Sequence, residues 1–270
     1  MALMQFNFSS ECLQGSTNIM VILPERPHAV AAEAFYRSQK KYKVLWLLHG
    51  TFGDCTDWVR RTNIERYACA RDLVVVMPSA LNTNYANWPD FSIGYNMYDF
   101  LTEELMPLIY GWLPVSDKRE DNFIAGLSMG GRGTCVYAFN HPEKFAGAAV
   151  LSAAPRDIFW CRKCEPGMYK RLHNAAVALY GSDRGYADSF ENTWRLATEK
   201  AGDPDLPKLY FASGTVDSLY PAFVHFRKHA QKIGLPAKFE EIPGYDHEWA
   251  FWDLSIQKAL DYFGITKEKA

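Results

Sequence analysis

The chain has 270 residues, 48% of them hydrophobic and 15% aromatic, with 29 basic and 31 acidic side chains and a formal net charge of −2. The two signs of charge are mixed along it, which argues against a nucleic-acid-binding face and a polybasic membrane patch. No stretch approaches the roughly 18 uninterrupted apolar residues of a membrane span, and residues 1–25 lack the basic and continuous apolar regions of a signal peptide.

Six cysteines do not make a disulfide scaffold in a chain of this length. The expected compartment is the cytoplasm.

In chain order, residues 3–24 alternate in polarity and read as one or two antiparallel edge strands. Six short runs bounded by turn residues follow: KVLWLLHG (43–50), DLVVVMPSA (72–80), NFIAGLS (122–128), FAGAAVLSA (145–153), KLYFASGTVD (208–217) and AKFEEIPGYDH (237–247). The first five are nearly continuously apolar, as strands buried on both faces of a parallel sheet are. Helical stretches at 58–71, 96–111, 129–140, 219–233 and 249–263 alternate with them. This rhythm predicts an α/β class fold, a mostly parallel central sheet with helices on both faces, as a single domain over 1–270. Residues 154–206 break the rhythm, with aromatics, turns and one helical stretch around SFENTWRLATEK. They are expected to form a small cap over the carboxyl ends of the strands, where binding loops gather.

The candidate chemistry begins at IAGLSMGGRG (124–133), where Gly126-Leu127-Ser128-Met129-Gly130 fits G-x-S-x-G. That pattern needs a strand, a tight strained turn and a helix, with the serine at the apex, and all three are predicted here. The competing reading is a Gly-Ser turn without chemistry. A serine hydroxyl is a poor nucleophile until a base takes its proton and a third group orients that base. Asp217 follows the fifth run and His247 the sixth, so acid and histidine come in the required order at the same sheet edge as Ser128. Asp246 adjoins His247, and side chains of neighbouring residues diverge. Asp203 and Asp205 precede their strand, at the opposite edge. His225 and His229, four apart, read as a solvated helix face. Oxyanion donors are expected from the backbone of Thr51, with Phe52 as its substitute, and of Met129; His49 is expected to brace the loop.

With these residues in view, the sequence resembles the putative-esterase branch of the α/β-hydrolases, which includes tributyrin esterase, esterase D (S-formylglutathione hydrolase) and the mycolyltransferases. LLHGTFGDCTDW, RTNIERYA, VVVMPSA, FIAGLSMGGRGT, HPEKFAGAAVLSA, SGTVDSLY and GYDHEWAFW carry the likeness from about residue 43 to 255, and bacterial tributyrin esterases match best. The resemblance implies a serine carboxylesterase for short acyl groups, without a cofactor, often a homo-oligomer, with Ser128, Asp217 and His247 as triad and Thr51 and Met129 as oxyanion donors. Leu127 stands where esterase D carries histidine, which argues against a glutathione-specific substrate. An acyltransferase or S-formylglutathione-type thioesterase would use the same triad, and a non-catalytic ligand-binding relative is the alternative of another class.

Phe52, Trp88 and Trp160 are candidates for the substrate pocket. Trp249 and Trp252 read as core. Cys161-x-x-Cys164 reads as free thiols ahead of a disulfide or a zinc site, since zinc needs four ligands and no second pair follows. No metal is therefore assigned. The expected partner is a small-molecule ester.

Overall fold

In the computed structural model, which describes residues 2–267, eight strands form one sheet. They are β1 (Ala2–Ser10), β2 (Gly15–Leu23), β3 (Lys43–Leu48), β4 (Leu73–Pro78), β5 (Asn122–Leu127), β6 (Gly147–Leu151), β7 (Lys208–Gly214) and β8 (Ala237–Ile242). Their spatial order is β1-β2-β4-β3-β5-β6-β7-β8. From β4 to β8 every pairing is parallel. The N-terminal stretch is a hairpin, and its second strand lies inside the sheet, paired antiparallel with β4.

The apolar runs make strands because both faces are covered. Along β3, Val44, Trp46 and Leu48 enter one core while Leu45 and Leu47 enter the other, and all five are fully buried. A strand with no solvent face needs no polar alternation. By contrast β8, an edge strand, carries Lys238, Glu240 and Glu241 and is only partly buried.

Helices α1 (Asp57–Arg61) and α2 (Ile64–Cys69) stand where one helix was expected over 58–71. The break lies at Thr62, which is extended, and the Asn63 amide donates to Asp253 Oδ1 at 2.8 Å. Helix α3 spans 97–112 with a π-helical middle over Phe100–Leu105. Next come α4 (Met129–Asn140), four helices between β6 and β7, namely α5 (Ile158–Cys164), α6 (Pro166–Tyr180), α7 (Asp183–Ala187) and α8 (Thr193–Lys200), then α9 (Tyr220–Ile233) and α10 (Trp249–Phe263). Only α8 of the four was legible as a helical stretch.

No helix among the described residues is long and apolar enough to cross a membrane. All six cysteines are free.

Candidate active site

Ser128 stands between β5 and α4 with φ 52° and ψ −115°, left-handed backbone that an L-residue adopts only under constraint. The glycines around it explain how the turn closes. A Cβ on Gly126 would run into the Gly130 backbone, and one on Gly130 would lie 2.6 Å from the carbonyl oxygens of Leu48 and His49. Strand, turn and helix touch backbone to backbone, and any side chain would wedge them apart.

The loops after β7 and β8 meet in the same way. A Cβ on Gly214 would strike the Tyr245 backbone; instead Thr215 N donates to Ile242 O at 3.1 Å and Val216 N to Tyr245 O at 3.2 Å. This contact brings Asp217 to His247, whose Nδ1 lies 2.9 Å from Asp217 Oδ2. The Leu219 amide donates to Asp217 Oδ1 at 2.8 Å, and the Ser152 hydroxyl also donates to this carboxylate. Burial, to 3% exposure, pushes Asp217 towards protonation, but the hydrogen bonds from His247, Leu219 and Ser152 outweigh it and hold the carboxyl below its ordinary range. Asp246 Oδ1 instead accepts the backbone N–H of His247, at 2.7 Å.

His49 is buried at 1% exposure; its Nε2 accepts the Ala80 amide at 2.8 Å, and its Nδ1 lies 2.7 Å from Gly50 O. Those partners place the proton on Nδ1, and burial lowers the imidazole pKa, so His49 is a neutral brace for the 49–53 loop. In that loop the Phe52 amide donates to Asn82 Oδ1 at 2.8 Å and Gly53 N to Gly50 O at 3.2 Å.

A cavity of about 830 Å³ gathers Ser128, His247, Thr51, Phe52 and Met129 in its lining. Asp217 lies behind His247, away from the lining. The floor comes from the sheet edge and α4. One wall comes from α1 and the start of α10, and the other from the 154–206 segment through Ala154, Arg156, Met168, Arg171, Leu172, Tyr186 and Thr193.

Two candidate pocket residues stand elsewhere. Trp88 lies in a two-strand ribbon, Asn87–Trp88 paired with Tyr95–Asn96, and its indole N–H donates to Thr83 O at 2.9 Å. Trp160 stacks on His225, ring centroids 4.2 Å apart, and the column continues through Trp194 to His229. His225 therefore packs between two indoles and His229 against one, so the pair is not a solvated face. Trp249 and Trp252, read as core, also line the cavity, and the Trp252 ring meets that of His247 edge-on at 5.0 Å.

Sequence reasoning missed Ser152 and the cavity arginines 61, 132, 156 and 171. Ser152 had a usable signal, a hydroxyl directly after a predicted strand at the same edge as Ser128. The arginines had none, because their convergence depends on how α1, α4 and the 154–206 segment pack.

Comparison with known proteins shows the family and the fold relatives of the chain. The family model described as "Putative esterase" matches residues 10–263. An acetyl esterase of Caldicellulosiruptor saccharolyticus is 29% identical over 280 residues, spanning 99% of this chain and 100% of that protein. The S-formylglutathione hydrolase of Staphylococcus aureus is 30% identical, covers 98% of this chain and 99% of its own, and superposes with a TM-score of 0.80. The fluorophosphonate-binding serine hydrolase F of the same organism, solved with substrate bound, is 31% identical over 98% and 99% of the two chains, with a TM-score of 0.81.

Proposed function

Since the chain belongs to the Putative esterase family, an α/β-hydrolase family whose model spans residues 10–263, we propose that it is a serine carboxylesterase for short-chain acyl esters, acetyl foremost, working through Ser128, His247 and Asp217. The observation that carries the reading is the 2.9 Å His247–Asp217 pair beside a cavity that also holds Ser128 at a strained turn. The 29% identical acetyl esterase supports the acyl preference.

In the first half-reaction His247 Nε2 takes the Ser128 proton as Oγ attacks the ester carbonyl. Asp217, hydrogen-bonded to Nδ1, fixes the tautomer and stabilises the imidazolium that forms. The oxyanion is held by the amides of Met129 and Thr51; the Phe52 amide is already engaged by Asn82, which favours Thr51 over its neighbour. One such donor is worth roughly 10²–10³ in turnover. His247 then protonates the departing alcohol, water attacks the acyl-enzyme with His247 as base, and the carboxylic acid leaves. Side chains and backbone supply every group, and no cofactor is invoked. The 154–206 segment acts as the cap of a single domain and closes the cavity over the strand ends. A cytoplasmic location completes the reading.

Hydrolysis of p-nitrophenyl esters from acetate to octanoate, by wild type and Ser128→Ala, tests it. Fast turnover of the short esters that vanishes in the variant is the expected result. Absence of Ser128-dependent turnover at every chain length overturns the esterase reading. The 30% identical S-formylglutathione hydrolase favours a second reading, a thioesterase on the same triad, which predicts a higher kcat/KM for S-formylglutathione than for any oxygen ester.

A further inference from the structure

The charge on the cavity wall is lopsided. Arg61, Arg132, Arg156 and Arg171 line it against one carboxylate, Asp57, although the chain as a whole carries a net charge of −2. Two of the four are held by carboxylates outside the lining, Arg132 by Glu191 at 2.7 Å and Arg156 by Glu165 at 3.4 Å. Arg132 also donates to Asn84 O at 2.6 Å, so its guanidinium is fixed one helical turn from Ser128. Arg61 lies 3.5 Å from Asp57 and over the Trp249 ring. Arg171, on α6, lines the cavity at its solvent-exposed side and makes no ion pair among the described residues. A concave wall carrying one sign of charge draws anions towards it, and does so most strongly at low salt.

Size decides which half of the substrate meets this field. If the acyl group is short, as proposed above, most of the 830 Å³ is left to the alcohol half. We infer that the preferred ester carries an anionic group, a carboxylate in the simplest case, on its alcohol half, bound by Arg171 and Arg156 on the wall made by residues 154–206. This assignment rests on the esterase reading and goes beyond it by naming the substrate class. Guanidinium is the suitable donor here because its planar fork accepts a carboxylate in two parallel hydrogen bonds.

Three aryl acetates with a negative, a neutral and a positive para substituent test the inference: 4-acetoxybenzoate, its neutral methyl ester and 4-acetoxyphenyltrimethylammonium. Each kcat/KM is divided by the rate with hydroxide, so that differences between the leaving groups cancel. The expected order is anion above neutral by about tenfold or more, with the cation lowest and the spread narrowing as salt is added. In Arg171→Gln the anion-to-neutral ratio falls towards one, and Arg171→Lys restores part of it. Turnover of the neutral ester with no preference for the anion in the wild type overturns the inference alone. No turnover of any of the three overturns the esterase reading together with it.

Discussion

The indole N–H of Trp252 donates to Ser152 Oγ at 3.0 Å, and through that hydroxyl a residue of α10 reaches the carboxylate of Asp217. Ser152 is fully buried, with its own amide donating to Ala212 O at 2.9 Å. His247 and the Leu219 amide do most to keep this carboxylate ionised where burial alone would protonate it, Ser152 adds a smaller share, and the Trp252 indole also packs on the His247 ring.

Ser152→Ala tests the relay. The substitution leaves the Trp252 N–H without its acceptor, at a cost of about 1–3 kcal/mol, and removes a donor from Asp217. Donors to the charged form hold a carboxyl pKa down, so that of Asp217 rises. We expect a lower Tm, a severalfold lower kcat and an acid limb of the kcat profile displaced to higher pH. A lower Tm with an unmoved pH profile would mean that Ser152 only packs.

Ser128→Gly separates chemistry from strain. Glycine occupies φ 52° without the cost a Cβ brings there, and relief of backbone strain at such sites is worth on the order of 1–3 kcal/mol. Turnover is expected to disappear while Tm rises, by calorimetry. A variant less stable than wild type would show that the turn stores no strain.

Asp217 makes stability pH-dependent with a definite sign. Its folded pKa lies below the ordinary 3.8, so its contribution is present above that value and lost as pH falls through the folded pKa. Denaturant unfolding of wild type and Asp217→Asn should therefore differ most at neutral pH and converge below about pH 4. A difference that grows in acid would reverse the assignment.

Gly130→Ala probes the approach of α4 to the sheet. The added methyl meets two carbonyl oxygens at 2.6 Å, and neither can rotate away, because both belong to the backbone at the end of β3. We expect roughly 1–3 kcal/mol of destabilisation in urea and a large fall in kcat, as the Ser128 turn moves with the helix. Wild-type stability would mean that the helix shifts freely.

The strand framework was legible because each of its strands is specified by its own residues. KVLWLL and LVVVMP have no polar face to offer, so they become interior strands wherever they are placed. The break at Thr62 was not legible in the 58–71 pattern, since the acceptor that holds Asn63, Asp253, is 190 residues away. Likewise Trp160 looked like a pocket residue because it lies in the inserted segment, yet its ring is taken up by His225 on α9.

The same division runs through the candidate site. Order along the chain and position at strand ends singled out Ser128, Asp217 and His247, because a parallel sheet delivers all such ends to one edge. What tertiary structure alone decided is what surrounds them: the carboxylate–imidazole contact across two loops, the Ser152–Trp252 relay, and the four arginines of the cavity. Those arginines lie on α1, on α4, in the loop before α5 and on α6. Period and propensity act between neighbours in sequence, whereas a cavity is made by side chains of distant segments that meet only after the sheet and its helices have packed.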